Sequence, residues 1–267
     1  MTPIVSVVIP TYERQRLTDR AIDSVTTRCP EAVEIVIVDD AGLEPFRCVA
    51  SANKAGVATR VIRLEVNGGP GVARFKGVQA AKGELVAFLD SDDEFVDGWI
   101  DALLECQSDY GGERPLQAMI VGQVQNSQFA AGLAALLLKS LPTNLRLTVA
   151  RMMSVFFNPF YTPSIAITRS SLRFHPDLRY CEDYFMVTVS SFQVDCLLLP
   201  DVIACRLGRQ PNTKGGASSQ LELMRRGEAL ARQAVAQEPS VPIWHRALYP
   251  LGLAYQALRT ATKALLK

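Results

Sequence analysis

Apolar residues form short, nearly continuous runs along the first hundred residues of the chain. The runs 4–9, 33–38 and 85–89 are rich in valine, isoleucine and leucine, and 58–66 has a weaker pattern of the same kind. Strands that are covered on both faces have this composition, because neither face meets water. Between the first two runs, apolar residues recur at helical spacing. Strand, helix and strand in this order predict a mostly parallel sheet.

Polar residues cluster where these predicted strands end. The first run ends in Pro-Thr-Tyr-Glu at 10–13, the second in Asp39-Asp40, and the run 85–89 leads directly into Asp90-Ser91-Asp92-Asp93. Doubly wound sheets bind ligands at the carboxyl ends of their strands. The pattern therefore predicts an α/β half with a ligand site at this edge.

The second half of the sequence has a less regular pattern. It predicts strands over 117–125, 164–167, 196–199 and 202–206, a mostly helical apolar segment over 129–157, a helix that begins near Asp183, and helix from 221 onward with breaks near 239–242 and 250. Residues 209–219 have the composition of a flexible loop. The whole pattern indicates an α/β fold with a helical C-terminal tail.

Composition argues against several classes of protein. The formal net charge of +1 gives no bulk attraction to nucleic acid. Six cysteines lie far apart with only two histidines, so we predict no structural zinc site and expect reduced thiols. The N-terminal apolar run lacks a preceding basic segment, and no stretch approaches the roughly 20 apolar residues of a membrane span. We therefore expect a cytoplasmic protein.

The acidic run Asp90-Ser91-Asp92-Asp93 is the strongest candidate for chemistry. Three carboxylates within four residues repel one another unless a cation lies among them. Mg²⁺ and Mn²⁺ prefer such oxygen ligands, with substrate phosphate and water completing the shell. The same residues also suit a helix start, where aspartate caps free N–H groups. On spacing alone, the metal site and the helix cap are equally good interpretations.

Three further positions carry candidate side chains. Asp39-Asp40 suits a ribose hydroxyl or a base N–H, or else a simple Asx turn. Arg74 lies in the first turn of a helix predicted over 72–82, after the glycine-rich turn 67–71. It suits a phosphate or a base carbonyl, or else it is a solvated surface arginine. Glu182-Asp183 opens a predicted helix and suits either a general base or a cap.

Taken together, these motifs resemble the family 2 glycosyltransferases with the GT-A fold. The resemblance covers residues 1 to about 190 in family order, and its segments are 5–12, 34–40, 67–74, 83–93, 158–169 and 182–183. One departure is Phe75, where the family usually has asparagine. The resemblance favours the metal interpretation of the acidic run. It implies a Rossmann-like, mostly parallel sheet flanked by helices, with an acceptor-side subdomain and a helical C-terminal tail.

The resemblance also implies roles for individual residues. A Mn²⁺ or Mg²⁺ ion would bind Asp92, with Asp90 and Asp93 as further candidates, and would offset charge on the leaving diphosphate. Asp183 would deprotonate the acceptor hydroxyl for inverting transfer, with Glu182 as the alternative. The residues implied in nucleotide-sugar binding are Pro10, Thr11, Tyr12, Glu13, Asp39, Asp40, Asn67, Arg74, Asp90 and Ser91.

The implied organisation is a nucleotide-sugar-binding half over 1–105, an acceptor-binding half of the same GT-A domain over 106–219, and a helical C-terminal extension over 220–267. The implied partners are a nucleotide-sugar donor, with a UDP-sugar favoured, and a glycan or lipid-linked glycan acceptor in bacterial polysaccharide or glycoconjugate synthesis. The C-terminal helix has an apolar and a basic side. It therefore suits either peripheral contact with the inner face of the cell membrane or packing on the domain.

Three other functions share parts of this pattern. A sugar-phosphate nucleotidyltransferase would carry a glycine-rich, arginine-containing loop after the first strand, where this chain has Pro-Thr-Tyr-Glu-Arg at 10–14. A phospho-acceptor receiver module would need about half this length and a Lys-Pro at a later strand end. A non-catalytic nucleotide-sugar-binding protein would carry the same binding motifs and stays the alternative to an enzyme.

Overall fold

The computed structural model describes residues 2–48, 53–111, 116–125, 148, 151–156, 158, 160–208 and 220–265. The predicted loop 209–219 and most of the predicted apolar helix 129–157 lie outside the described residues.

Eight strands form one mixed sheet in this described part of the chain. They are β1 (Val5–Thr11), β2 (Val33–Asp39), β3 (Ala58–Arg63), β4 (Leu85–Phe88), β5 (Glu94–Phe95), β6 (Ala118–Gln125), β7 (Ile165–Thr168) and β8 (Asp195–Arg206). Their spatial order is β3-β2-β1-β4-β7-β6-β8-β5. The strands β1 to β4 pair in parallel, as predicted, whereas β7 is antiparallel to both β4 and β6.

Helices cover both faces of this sheet and continue beyond it. They are α1 (Gln15–Asp23), α2 (Pro70–Ala80), α3 (Trp99–Cys106), α4 (Glu182–Ser191), α5 (Leu221–Gln237), α6 (Ile243–Ala247) and α7 (Tyr249–Leu265). The helix predicted to start at 72 starts at Pro70, because proline has no N–H to lose in the first turn of a helix. Among the described helices, none is long and apolar enough to cross a membrane.

The core has two layers, one on each face of the sheet. Val7 of β1 belongs to a buried cluster that includes Trp99 of α3, and its neighbour Val8 belongs to a second cluster that includes Ala73 of α2 and Met186 of α4. Successive residues of a strand point to opposite faces, so a continuous apolar run fills both layers. Helices α2 and α4 therefore pack on the same face of the sheet.

Strand β8 corrects one prediction. The segments 196–199 and 202–206 were expected as separate strands, but they form a single strand next to β6. Between the partner pairs Val121–Leu198 and Gln123–Ile203, the register shifts. Pro200 lies in this irregular stretch, where a residue without an N–H is tolerated.

The C-terminal helices pack on the domain. Apolar side chains of α5, including Ala231 and Val235, form a buried cluster with Tyr184 and Val189 of α4. Helix α5 therefore packs on the domain through its apolar side. Helices α6 and α7 retain exposed apolar residues on their outer sides.

Candidate functional site

Arg74 lies at the centre of the polar edge of the sheet. It is in the first half of α2 and exposes only 6% of its surface. Its Nη1 donates to Glu182 Oε1 at 2.5 Å, and its Nη2 donates to Asp90 Oδ1 at 2.5 Å. Burial disfavours the arginine charge, but the carboxylates of Asp90, Glu182 and Asp183 outweigh it and raise the pKa of Arg74. This guanidinium joins the end of β4 to the start of α4.

The two acidic residues at the start of α4 have different surroundings. Glu182 is buried beside Arg74, and burial raises its pKa to about 7 although the guanidinium opposes the shift. Gly71 allows this approach, because a Cβ there would lie 2.5 Å from Glu182 Cγ. Asp183 is partly exposed, and its Oδ2 accepts a hydrogen bond from Asn158 Nδ2 at 3.4 Å. Of this pair, Asp183 is the carboxylate that an incoming molecule can reach.

The acidic run after β4 divides in the same way. Asp90 and Asp92 expose 33% and 18% of their side chains, and Asp92 Oδ2 accepts from Arg14 Nη1 at 3.0 Å. Asp93 is buried and accepts from the backbone N–H of Gly208 at 2.8 Å. Burial, followed by the charge of Asp90, raises the pKa of Asp93 to about 7. The carboxyl of Asp93 thus fastens the end of β8 to this loop.

The partly exposed carboxylates fit a divalent ion that binds together with a phosphate. In the described ranges, no group of three or more acidic, histidine or cysteine side chains forms a metal cage. Asp90 and Asp92 nevertheless supply hard oxygen ligands, each facing a guanidinium that balances its charge. Mg²⁺ commonly takes one or two carboxylates and completes its shell with substrate phosphate and water. Asp93, which is committed to Gly208, fits such a site less well.

Asp39 and Asp40, at the end of β2, accept hydrogen bonds from nearby groups of the protein. Asp39 is buried, and its carboxylate accepts from the N–H groups of Gly42 and Phe46 and from Arg63 Nη1, the last at 2.6 Å. This is the Asx-turn interpretation with an added ion pair.

The carboxylate of Asp40 accepts from the N–H groups of Gly68 and Gly69, both at 2.8 Å. Burial raises the pKa of Asp40. These two bonds hold the glycine-rich turn against the end of β2. The turn leads into α2, so Asp40 also fixes where the helix that carries Arg74 begins.

The other predicted nucleotide-binding residues lie along the same edge. Pro10 and Thr11 end β1, where Thr11 shares a 2.6 Å hydrogen bond with Thr18. Tyr12 exposes 45% of its surface, and the carboxylate of Glu13 accepts from the N–H of Leu43. The side chain of Asn67 donates to the carbonyl of Asp40 at 3.1 Å and accepts from Arg179 at 2.8 Å, and Ser91 is buried.

Two arginines at this edge were not predicted. Arg14 contacts Asp92, and Arg179 contacts Asn67. Arg14 directly follows the turn at 10–13, so its position after a strand end was a usable signal. Arg179 precedes the acidic pair of α4, and nothing in its local sequence indicates a contact 112 residues away.

Comparison with known proteins gives the same picture for the first half of the chain. Residues 6–129 match the family model described as Glycosyl transferase family 2. TuaG of Bacillus subtilis, assigned to teichuronic acid biosynthesis as a glycosyltransferase, is 35% identical over 113 residues, which is 42% of this chain and 43% of TuaG. A GalNAc(5)-diNAcBac-PP-undecaprenol beta-1,3-glucosyltransferase of Campylobacter jejuni is 31% identical over 106 residues, 39% of this chain and 34% of that protein. The chain therefore spans less than half the length of these curated relatives.

Solved structures extend the likeness to nearly the whole fold. S. aureus TarS 1-349 in complex with UDP-GlcNAc superposes with a TM-score of 0.66 at 17% identity, over 94% of this chain and 72% of that one. Mannosyltransferase PcManGT from Pyrobaculum calidifontis, in complex with GDP-Man and Mn²⁺, gives a TM-score of 0.63 at 17% identity, over 100% of this chain and 76% of that one. At this identity the likeness establishes the fold. Residues 6–129 thus resemble the family 2 glycosyltransferases, and the fold is of the GT-A type.

Proposed function

We propose that this chain is an inverting glycosyltransferase that moves a sugar from a nucleoside diphosphate sugar to a hydroxyl acceptor. The observation that supports the proposal is the Arg74 bridge, because its guanidinium donates both to Asp90 in the acidic run and to Glu182, the neighbour of the base candidate Asp183. Of the relatives named above, one is assigned to teichuronic acid biosynthesis and the other is named as a GalNAc(5)-diNAcBac-PP-undecaprenol glucosyltransferase, which favours a glycan acceptor. None of those relatives is a sugar-phosphate nucleotidyltransferase.

Each part of the site has a task in this reaction. The turn held by Asp40 and the exposed ring of Tyr12 would receive the nucleoside. Asp92, with Asp90, would hold a Mn²⁺ or Mg²⁺ ion, which when bound offsets charge on the leaving diphosphate. Two solved structures of this fold are in complex with UDP-GlcNAc and with GDP-Man and Mn²⁺, which supports this donor class and a divalent ion.

Asp183 is the residue we propose as the base. Its carboxylate is partly exposed and contacts Asn158, whereas Glu182 is buried and shares Arg74 with Asp90. A base must reach the proton that it removes. Asp183 would take the proton of the acceptor hydroxyl as its oxygen attacks the anomeric carbon. The diphosphate leaves on the opposite side, so the configuration at that carbon is inverted.

A donor screen tests the binding half of the proposal. UDP-, GDP- and dTDP-sugars are added to the purified protein with Mn²⁺, with Mg²⁺ or with EDTA, and thermal unfolding is recorded. At least one donor should raise the unfolding temperature by several degrees only when the metal is present, because a ligand that binds the folded state stabilises it. A panel in which no donor shows metal-dependent stabilisation would contradict the proposal.

The Asp183→Asn variant tests the catalytic half. With a donor from the screen and water as acceptor, release of the nucleoside diphosphate should fall about 1000-fold, while donor affinity stays within about 2-fold. Asp177→Asn is the matched control, since Asp177 is exposed and lies six residues earlier. Survival of the activity in Asp183→Asn would move the base to Glu182 or another group.

A membrane surface is the proposed place of action. Exposed apolar residues occur on α6 and α7, and they are Ile243, Trp244, Leu251, Tyr255 and Leu258. Residues 220–267 also carry seven lysines and arginines against three glutamates. Basic helices with exposed aromatic and aliphatic groups bind anionic bilayers. Failure to co-sediment with anionic liposomes would remove this part of the proposal and leave the chemistry unaffected.

A further inference from the structure

Arg232 of α5 is a buried cation far along the chain from the residues of the site. Only 1% of its surface is exposed. Its guanidinium donates to the backbone carbonyls of Val155 and Phe156, the second at 2.7 Å, and to Glu228 Oε1 at 2.9 Å. A buried charge needs partners, because desolvation otherwise costs several kcal/mol. Arg232 therefore binds the backbone that leads towards Asn158.

A second set of contacts ties the same backbone to α4. The hydroxyl of Tyr184 donates to the carbonyl of Ser154 at 2.8 Å, and the Tyr184 ring lies 5.0 Å from the Arg232 guanidinium carbon. The Ser154 hydroxyl in turn shares a 3.0 Å hydrogen bond with His245 Nε2 of α6. Residues 154–156 are thus held by helices α4, α5 and α6 together.

Both ends of this arrangement converge on Asp183. Tyr184 is the next residue in α4, and Asn158 lies two residues beyond Phe156 and donates to Asp183 Oδ2. A displacement of residues 154–156 would therefore move Asn158 away from the carboxylate. Small displacements of a catalytic group have large effects on rate, because the reacting atoms must be aligned.

We infer that Arg232 is a positioning residue for the transfer reaction. It holds residues 154–156 against α4 so that Asn158 orients the carboxylate of Asp183 towards the acceptor. The inference rests on the proposed role of Asp183 as the base. It gives the C-terminal helices a function in catalysis that is separate from any contact with a membrane.

The test compares Arg232→Met and Arg232→Lys with Arg226→Met in the full chain. Arg226 is on the same helix, but 72% of its side chain is exposed and it pairs only with Glu222 among the ion pairs described. Nucleoside diphosphate release is measured with Mn²⁺ and a donor from the screen. In Arg232→Met, kcat should fall about 100-fold while the KM for the donor changes less than about 2-fold. Arg226→Met should leave both unchanged.

Hydrogen exchange provides a readout that does not need activity. The backbone amides of 151–156 and of the first turn of α4 should exchange at least 10-fold faster in Arg232→Met, while α2 keeps its protection. Arg232→Lys retains the charge but not the forked donor geometry, so it should show smaller changes in the same direction and serves if the methionine variant does not fold.

The outcomes separate this inference from the proposed function. If Asp183→Asn loses activity but Arg232→Met retains kcat within about 3-fold of wild type, Arg232 is not a positioning residue. Where the methionine variant does not fold, an Arg232→Lys variant with wild-type kcat leads to the same conclusion. Unchanged exchange at 151–156 would likewise exclude that role for Arg232. If Asp183→Asn stays active, the proposed base is wrong, and the exchange result still shows whether Arg232 holds this segment.

Discussion

The adjacent aspartates at the end of β2 and the acidic run at the end of β4 look alike in sequence but have different partners. Asp39 and Asp40 are buried, and their carboxylates accept hydrogen bonds mainly from N–H groups of the backbone that follows. Asp90 and Asp92 are partly exposed, and each faces an arginine side chain. Both pairs lie at the carboxyl ends of strands, β2 and β4, that run parallel to β1 on either side of it.

The nature of the donor explains what each pair can do. A carboxylate that satisfies backbone N–H groups cannot change partner without opening the turn, since buried N–H groups need an acceptor. A carboxylate that faces a guanidinium can exchange it for a metal ion when the side chain rotates. Asp39 and Asp40 therefore stabilise the turns at this end of the sheet, whereas Asp90 and Asp92 are suited to bind a ligand.

Asp92→Asn should separate the two pairs most strongly. Loss of the negative charge removes the principal proposed metal ligand, so the Mn²⁺-dependent affinity for a donor should fall at least about 100-fold with little change in thermal stability. Titration calorimetry with and without Mn²⁺ measures this. Asp109→Asn, at an exposed position, is the control. Donor affinity that stays metal-dependent and tight in Asp92→Asn would place the ion elsewhere.

Asp39→Asn should show the opposite profile. The amide keeps one acceptor but loses the ion pair with Arg63, so the free energy of unfolding should fall by about 2 kcal/mol. Denaturant unfolding gives this value, and Asp177→Asn should change it by less than about 0.5 kcal/mol. A stable Asp39→Asn protein with lost donor binding would mean that Asp39 is a ligand-binding residue after all.

Glu182→Gln should reveal a smaller, pH-dependent effect on the residue that shares Arg74 with Asp90. Burial raises the pKa of Glu182 from 4.5 to about 7 beside Arg74, Asp90 and Asp183. The folded state then binds this proton more tightly than the unfolded chain, so the contribution of Glu182 to stability falls as the pH rises between these values. From pH 5 to pH 8 without metal, wild type should lose on the order of 1 kcal/mol relative to Glu182→Gln. Parallel pH profiles would show that the pKa is not raised.

The pattern of apolar residues was enough to predict the parallel half of the sheet. The runs that became β1, β2 and β4 are continuous and apolar because helices cover both faces, and this composition is visible without a structure. The helix Trp99–Cys106 and the two-residue strand Glu94–Phe95 were not predicted. A strand this short has no period, and it exists only because β8 lies beside it.

The positions of the candidate site residues could be predicted from the sequence, but their contacts with one another could not. Strand ends indicated Asp90 and Asp92, and a helix start indicated Asp183, but no local signal shows that Arg74 would contact Glu182, 108 residues away. For Asp39, the two interpretations differed only in which donors the fold would supply. In the structure, the donors to Asp39 are backbone N–H groups and the Arg63 guanidinium. Which donors reach this carboxylate depends on tertiary packing, which the local sequence does not indicate.

The contact between Arg74 and Glu182 has a consequence for chimeric proteins. The family match ends at residue 129, whereas a principal partner of its buried arginine lies at 182. A graft of the matched segment onto another protein would bury a cation without this counterion. A chimera designed to exchange donor specificity between relatives should therefore include the start of α4 together with the matched segment.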